Sequence, residues 1–149
     1  MPIAPDVYKK IVTAKVYIDE NFGDIIDLDR LSKEACLSRY HFHRLFTRIY
    51  QRTPHQYLTQ RRIEKARQWL ADDQLSVTEI CNTVGFESIG SFSVLFKKEI
   101  GYAPLYYRHQ ARERQEQTRQ QPRSFIPHCF IETYQQESNF REIVPTPFA

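Results

Sequence analysis

Apolar positions near the start recur at Val7, Ile11, Ala14, Ile18 and Phe22, spaced four, three, four and four apart. That spacing is one stripe of an amphipathic helix. Asp6 stands where it can cap the start, and Gly23 suits a left-handed residue closing the end. Asp27 then opens a short helix through Leu28, Leu31 and Ala35, broken tightly at Cys36-Leu37. Ser38 can cap a third helix that turns Phe42, Leu45, Phe46 and Ile49 inward. Thr53-Pro54-His55-Gln56 combines a cap, a proline at the first helical position and a capping-box glutamine. It starts a long helix with Tyr57, Leu58, Ile63, Ala66 and Leu70 on its apolar side, ending around Asp72-Asp73. Ser76-Val77-Thr78-Glu79 is a second capping box, before a short helix through Ile80 and Val84. Gly85 supplies the next turn, and a further helix carries Phe92, Leu95, Phe96 and Ile100. Gly101 and Pro104 punctuate the entry to a last short helix with Tyr107.

The two halves of this pattern superimpose. Leu28, Leu31, Ala35 and Leu37 match Val77, Ile80, Val84 and Phe86 at an offset of 49, while Phe42, Leu45, Phe46, Pro54 and Tyr57 match Phe92, Leu95, Phe96, Pro104 and Tyr107 at an offset of 50. One extra residue near Gly90 absorbs the difference. A short helix, a tight turn and a second helix with an aromatic-x-x-Leu-Phe core is the helix-turn-helix pattern. The expected fold is all-α: two homeodomain-like helix-turn-helix units joined by a long linker helix, plus a short C-terminal extension. The units should span about residues 27–52 and 76–101, the linker about 54–72, the domain 1–108, and the extension 109–149.

Charge changes the picture through its distribution. The net charge is only +3 over 149 residues, yet no acidic residue lies between Glu34 and Glu64. Arg39, Arg44, Arg48, Arg52, Arg61, Arg62, His41, His43 and His55 all fall in that stretch. A one-signed field draws in a polyanion by releasing its condensed counterions, whereas a merely solvated helix face mixes both signs. Duplex DNA is the partner this implies.

Residues Arg62-Ile63-Glu64-Lys65-Ala66-Arg67-Gln68-Trp69-Leu70, then Ile80, Gly85-Phe86, Phe92, Phe96-Lys97 and Gly101-Tyr102-Ala103-Pro104-Leu105-Tyr106-Tyr107-Arg108, resemble the signature of AraC/XylS-type transcriptional regulators. Leu31 through Tyr57 fits the same family's other half, so the resemblance covers about residues 7 to 108. It implies a seven-helix domain whose two units each place their second helix in a major groove on one face of the DNA. It also implies transcription activation through contact with RNA polymerase.

A recognition helix offers its N-terminal, outward side chains to base edges while its other stripe packs inward. In the first unit the candidates for base contact are Arg39, Tyr40, His41, His43 and Arg44, with Thr47 also outward. Arg44, which matches a base-contacting position of the family, is the best candidate for a bidentate bond to guanine. Tyr40 can pack on a thymine methyl, and Arg48 and Arg52, further along, suit phosphate. The second unit presents Ile89, Gly90, Ser91, Ser93 and Val94, with Ser88, Lys97 and Lys98 as phosphate candidates. Val94 aligns with Arg44, where the family often carries arginine. The expectation is asymmetric: the first unit specifies sequence, and the second positions and reads shape.

Other chemistry finds little support. Cys36, Cys81 and Cys129 lie far apart without a CxxC, so each reads as a small buried apolar residue rather than a disulfide or zinc ligand. His41 and His43 point in different directions on a helix and chelate poorly. No catalytic constellation, metal site or cofactor is expected. The apolar runs are too short to cross a membrane, and the N-terminus lacks a signal-peptide core, which points to the cytoplasm. The chain is too short for a separate ligand-binding domain, so no small-molecule inducer is implied.

His109 to Arg123 is either a polar helix extension or a flexible linker. The strand-like run Phe125 to Tyr134, followed by Phe140, Ile143, Val144 and Phe148, can pack on the core, mediate homodimerisation, or be the remnant of a lost module. Its apolar side chains need cover, which favours the first. Two functions stay open: a stand-alone DNA-binding regulator, and a helical protein-interaction adaptor whose DNA binding is weak or lost. The depleted outer face of the second unit supports the latter.

Overall fold

The computed structural model describes residues 2–121. Seven helices follow in order: α1 (Pro5–Glu20), α2 (Leu28–Glu34), α3 (Arg39–Tyr50), α4 (Pro54–Asp72), α5 (Val77–Thr83), α6 (Ile89–Ile100) and α7 (Pro104–Gln120). All regular structure among the described residues is helical, as the apolar periodicity requires. Met1–His109 forms one compact unit, and Gln110–Ala149 falls outside it. The apolar run after Phe125, with His128 and Cys129, lies outside the described residues.

Caps set most of the boundaries. Asp27, Ser38, Thr53, Ser76 and Ser88 each accept a hydrogen bond from the backbone three residues on, at the start of α2, α3, α4, α5 and α6. Thr53/Gln56 and Ser76/Glu79 form complete capping boxes. These bonds satisfy amides that have no partner inside the helix. The first helix departs from the expectation. Ala4 is its N-cap and has no side-chain acceptor, and Pro5 at the first helical position pre-sets φ for the start instead. Asp6 sits one residue inside, where its charge complements the helix dipole. The helix also stops at Glu20, before Phe22 and Gly23, and Gly23 does not take a left-handed conformation.

The repeat is preserved in detail. α2 and α5 have 7 residues each, and α3 and α6 have 12. Phe42 and Phe46 pack at 5.6 Å between ring centroids, and Phe46 meets Tyr57 edge-on at 5.7 Å and 72°. Phe92, Phe96 and Tyr107 repeat this at 5.6 Å, 5.7 Å and 72°. Each aromatic trio anchors its own core. Ile11, Ala14, Ile18, Leu31, Ala35 and Leu58 surround the first, and Ile63, Ala66, Leu70, Ile80, Cys81 and Val84 the second. Phe22 packs against both cores.

The extra residue of the second unit is Glu87 rather than one near Gly90. Leu37 corresponds to Phe86 at an offset of 49, and the next cap, Ser38, to Ser88 at 50, so the insertion lies inside the turn. In both turns the C-terminal carbonyls of the short helix are closed alike: Leu37 N donates to Ser32 O, and Phe86 N to Cys81 O, each at 3.0 Å. That closure needs a left-handed residue. Gly85 provides it at φ 93°, but the first unit uses Cys36 at φ 51°. Cys36 is thereby exposed, which corrects its assignment to the core, while Cys81 is buried as expected.

The last helix is not short. It continues through Gln120, so the segment after Arg108 extends the helix as far as the described residues reach. Its composition explains this: Gln, Arg and Glu are good helix formers and none of them needs burial.

Candidate DNA interface

The outward face of α3 is built by its inward one. Phe42 and Phe46 are fully buried four residues apart, which leaves Arg39, Tyr40, His41 and Arg44 exposed and His43 and Thr47 half-buried. Tyr40 is 71% exposed although it is a large aromatic residue. The Arg44 guanidinium lies over its ring at 5.6 Å, one helical turn away, so the two side chains order each other by cation–π attraction. Arg39 makes an exposed ion pair with Asp29 of α2, Nη1 to Oδ1 at 3.5 Å, of the kind that exchanges readily with solvent or phosphate.

Arg48 is exposed in the last turn of α3. Arg52, just beyond it, hydrogen-bonds Gln60 of α4. Across an open groove of about 380 Å3, Arg52, His55 and Gln60 face Lys98 of α6. One phosphate candidate from each unit, Arg52 and Lys98, therefore borders a shared depression, which Glu99 also lines.

The corresponding face of α6 is apolar and uncharged at its start. Ile89 is 44% and Val94 69% exposed; Gly90 and Ser91 are exposed, and Ser93 is half-buried. A Cβ on Gly90 would meet nothing within 4 Å, so this stretch has an open approach. Ser88 caps the helix, its Oγ accepting from Ser91 N at 3.2 Å and bonding Ser91 Oγ at 3.0 Å. Lys97 and Lys98 are exposed in the last turn.

Two arginines of the acid-free stretch point elsewhere. Arg61 Nε lies 2.8 Å from Asp19 Oδ1 of α1, and its Nη1 donates to Glu64 at 2.8 Å. The same Asp19 accepts from the Tyr57 hydroxyl at 2.9 Å and from Lys15 at 2.7 Å, a cluster that fastens α1 to α4. Arg62 Nε donates to Phe22 O at 2.6 Å, Nη1 to Gly85 O at 2.9 Å and Nη2 to Asp24 O at 2.7 Å. Burial alone pulls its pKa below the usual guanidinium value. The outward basic field is therefore carried by Arg39, Arg44, Arg48 and Arg52. Residue type could not sort these arginines. The neighbouring Ile63 and Ala66, both core positions, were the available sign that Arg62 stands beside the buried stripe.

Two helix-turn-helix units on one linker helix, each with an exposed second helix, define a tandem DNA-binding fold of the kind that regulates transcription. The family of helix-turn-helix domains matches residues 31–110, more than half of the chain. The chain belongs to the AraC-type helix-turn-helix family of transcriptional regulators. It is 38% identical over 84 residues to the HTH-type transcriptional regulator AlkR of Acinetobacter baylyi, covering 56% of this chain and 28% of that protein. It is 32% identical over 88 residues to the HTH-type transcriptional activator RhaS of Escherichia coli, covering 59% and 32%. The fold resembles the DNA-binding domain of AdpA, solved with a target DNA, at 27% identity and a TM-score of 0.69 over 72% of this chain and 96% of that one. An AraC-type protein from Chromobacterium violaceum gives 25% and 0.66, over 70% and 93%. The chain spans about a third of the length of these curated relatives. No helix among the described residues is long and apolar enough to cross a membrane.

Proposed function

We propose that this chain is a sequence-specific transcription activator that lays α3 and α6 into successive major grooves on one face of the duplex, with α3 the main reader. The observation that carries this is the contrast between equivalent helices. α3 presents Arg44 stacked over Tyr40, flanked by Arg39, His41 and His43, where α6 presents Val94, Ile89, Gly90, Ser91 and Ser93. Arginine reads guanine through two parallel bonds, whereas valine and isoleucine touch only thymine methyls. Arg48, Arg52, Ser88, Lys97 and Lys98 then serve as backbone contacts that fix register without reading sequence. Activation, through contact with RNA polymerase, rests on the family resemblance and on relatives named as activators, RhaS and the bifunctional AdaA of Bacillus subtilis. A cytoplasmic location follows from that role.

The test is duplex binding with a site selected from a random pool. Affinity should fall steeply between about 50 and 200 mM salt. Arg44→Ala should cost about 1–3 kcal/mol on the selected site and erase the preference at one base pair, while Val94→Ala should barely change it. Duplex binding that stays weak even at low salt would instead favour the protein-interaction adaptor, whose DNA binding is weak or lost. An unchanged base preference in Arg44→Ala would remove α3 as the specifying helix.

A further inference from the structure

The two helix-turn-helix units touch directly, away from the linker helix that joins them in sequence. The segment after α1 belongs to the first unit and meets the turn of the second. Phe22 places its ring in both cores and tilts against Trp69 at 6.4 Å. Gly23 lies against the end of α5 so closely that a Cβ there would stand 2.7 Å from Thr83 O. A Cβ on Gly85 would stand 2.7 Å from Gly23 O and 2.9 Å from Arg62 Nη2. Only backbone fits between them. Across this seam Arg62 donates to Phe22 O and Asp24 O on one side and to Gly85 O on the other, its guanidinium 5.9 Å from the Phe86 ring.

A planar fork with fixed donor directions is suited to holding three carbonyls in one arrangement. Two of them lie in the connection between α1 and α2 of the first unit and one in the turn between α5 and α6 of the second, none in a recognition helix. We propose that Arg62, with the Gly23–Gly85 backbone seam, sets the angle between α3 and α6, and so determines which spacing of two half-sites the protein accepts. Arg62 is on this account a positioning residue that never touches DNA. The linker helix fixes the distance along the duplex, and the seam fixes rotation about that helix. One inserted base pair moves the second half-site by about 34° around the duplex and about 3.4 Å along it, a change that a locked seam cannot follow.

The inference rests on the two-groove reading above, and the experiment separates the two. The full chain and its Arg62→Ala, Arg62→Lys and Gly23→Ala variants are titrated against the selected duplex and against versions with one base pair inserted or deleted between the half-sites. Thermal unfolding is recorded alongside. The unaltered chain should lose about tenfold or more in affinity on either altered duplex. Arg62→Ala should shrink that penalty to about twofold or threefold while binding the original duplex less tightly. Arg62→Lys should fall between, because an ammonium cannot span three carbonyls. Gly23→Ala keeps Arg62 and a φ open to alanine but drives a Cβ to 2.7 Å from Thr83 O, so it must open the seam. Where thermal unfolding shows it folded, it should shift or flatten the profile from the other side. If the unaltered chain ignores spacing, both the two-groove reading and this inference fail. If it discriminates spacing and folded Gly23→Ala and Arg62 variants keep its profile with uniformly weaker binding, the seam is not a spacing determinant and only this inference falls.

Discussion

Arg62 Nε donates to the carbonyl oxygen of Phe22 at 2.6 Å across a sequence separation of 40 residues. The bond joins the linker helix to the segment behind α1, and the other two donors of the same side chain extend it to Asp24 and Gly85. A residue that counts toward a basic field in the sequence is thus committed to the protein's own backbone. The consequence for stability is direct. Arg62→Ala leaves three carbonyls without their donor and should lower unfolding stability by about 2–4 kcal/mol, since bonds from a charged donor contribute about 1.5–3 kcal/mol each and water re-solvates part of the loss. Urea unfolding of the two proteins measures it. A change below about 0.5 kcal/mol would mean that solvent replaces the fork without cost.

The Asp19 cluster makes stability sensitive to alkali. Burial, and then the bond to Asp19, holds the Tyr57 hydroxyl above its ordinary 10.0. The bond to Asp19 likewise raises Lys15 above 10.5, burial opposing it. Both folded pKa values exceed the unfolded ones, so the stabilisation is complete below about pH 10 and is lost as pH rises through the folded values. Unfolding midpoints measured from pH 8 to 11 should fall steeply only at the top of that range. Tyr57→Phe should flatten part of the fall, and an unchanged slope would remove Tyr57 from the account.

Left-handed geometry at Cys36 can be relieved. A non-glycine residue at φ 51° carries roughly 1–2 kcal/mol of strain, and Cys36 is exposed. Cys36→Gly removes the strain and adds unfolded-chain entropy worth about 0.5–1 kcal/mol, so the net gain should be up to about 1 kcal/mol. The equivalent Gly85 shows what the turn prefers. Thermal unfolding checks the sign, and a lower melting temperature would show that the thiol makes a compensating contact.

Phosphate anchoring by α6 has its own signature. Replacing both Lys97 and Lys98 by alanine should reduce the slope of log affinity against log salt by up to about 1.8 if each neutralises one phosphate. Sequence preference should stay as it was. Val94→Arg is the converse change. It places on α6 the residue that α3 carries at Arg44, and selection from a random duplex pool should then show a new guanine preference in the second half-site. A reduced slope with altered base preference in the lysine variant would reassign those residues to base reading.

Much of the fold was legible because its signals are local. Caps such as Ser38, Thr53 and Ser76 sit three residues from their partners, and the apolar stripes follow the 3.6-residue period, so helix order and register could be read directly. The repeat added the pairing Phe42/Phe46/Tyr57 with Phe92/Phe96/Tyr107, and both trios adopt one geometry. Where two local signals competed, the sequence misled: Pro5 displaced Asp6 as the start of α1, and the stripe continued to Phe22 although the helix did not. The inward and outward faces of α3 and α6 were fixed by the same periodicity, and with them the asymmetry between Arg44 and Val94.

The tertiary structure alone decided which arginines face solvent and how the two units are joined. Arg61 and Arg62 are as basic in sequence as Arg44 and Arg48, but Asp19, Phe22 and Gly85 lie 42, 40 and 23 residues away from them. No period or spacing encodes a bond across that distance; it exists only after both cores have packed and brought the backbones together. The sequence determined two helix-turn-helix units and their outward faces, because each depends on neighbours within a few turns of helix. Their mutual orientation, the seam at Gly23 and Gly85, and the withdrawal of Arg62 from the basic field were decided by packing, because a guanidinium takes whichever acceptors the folded chain places within reach.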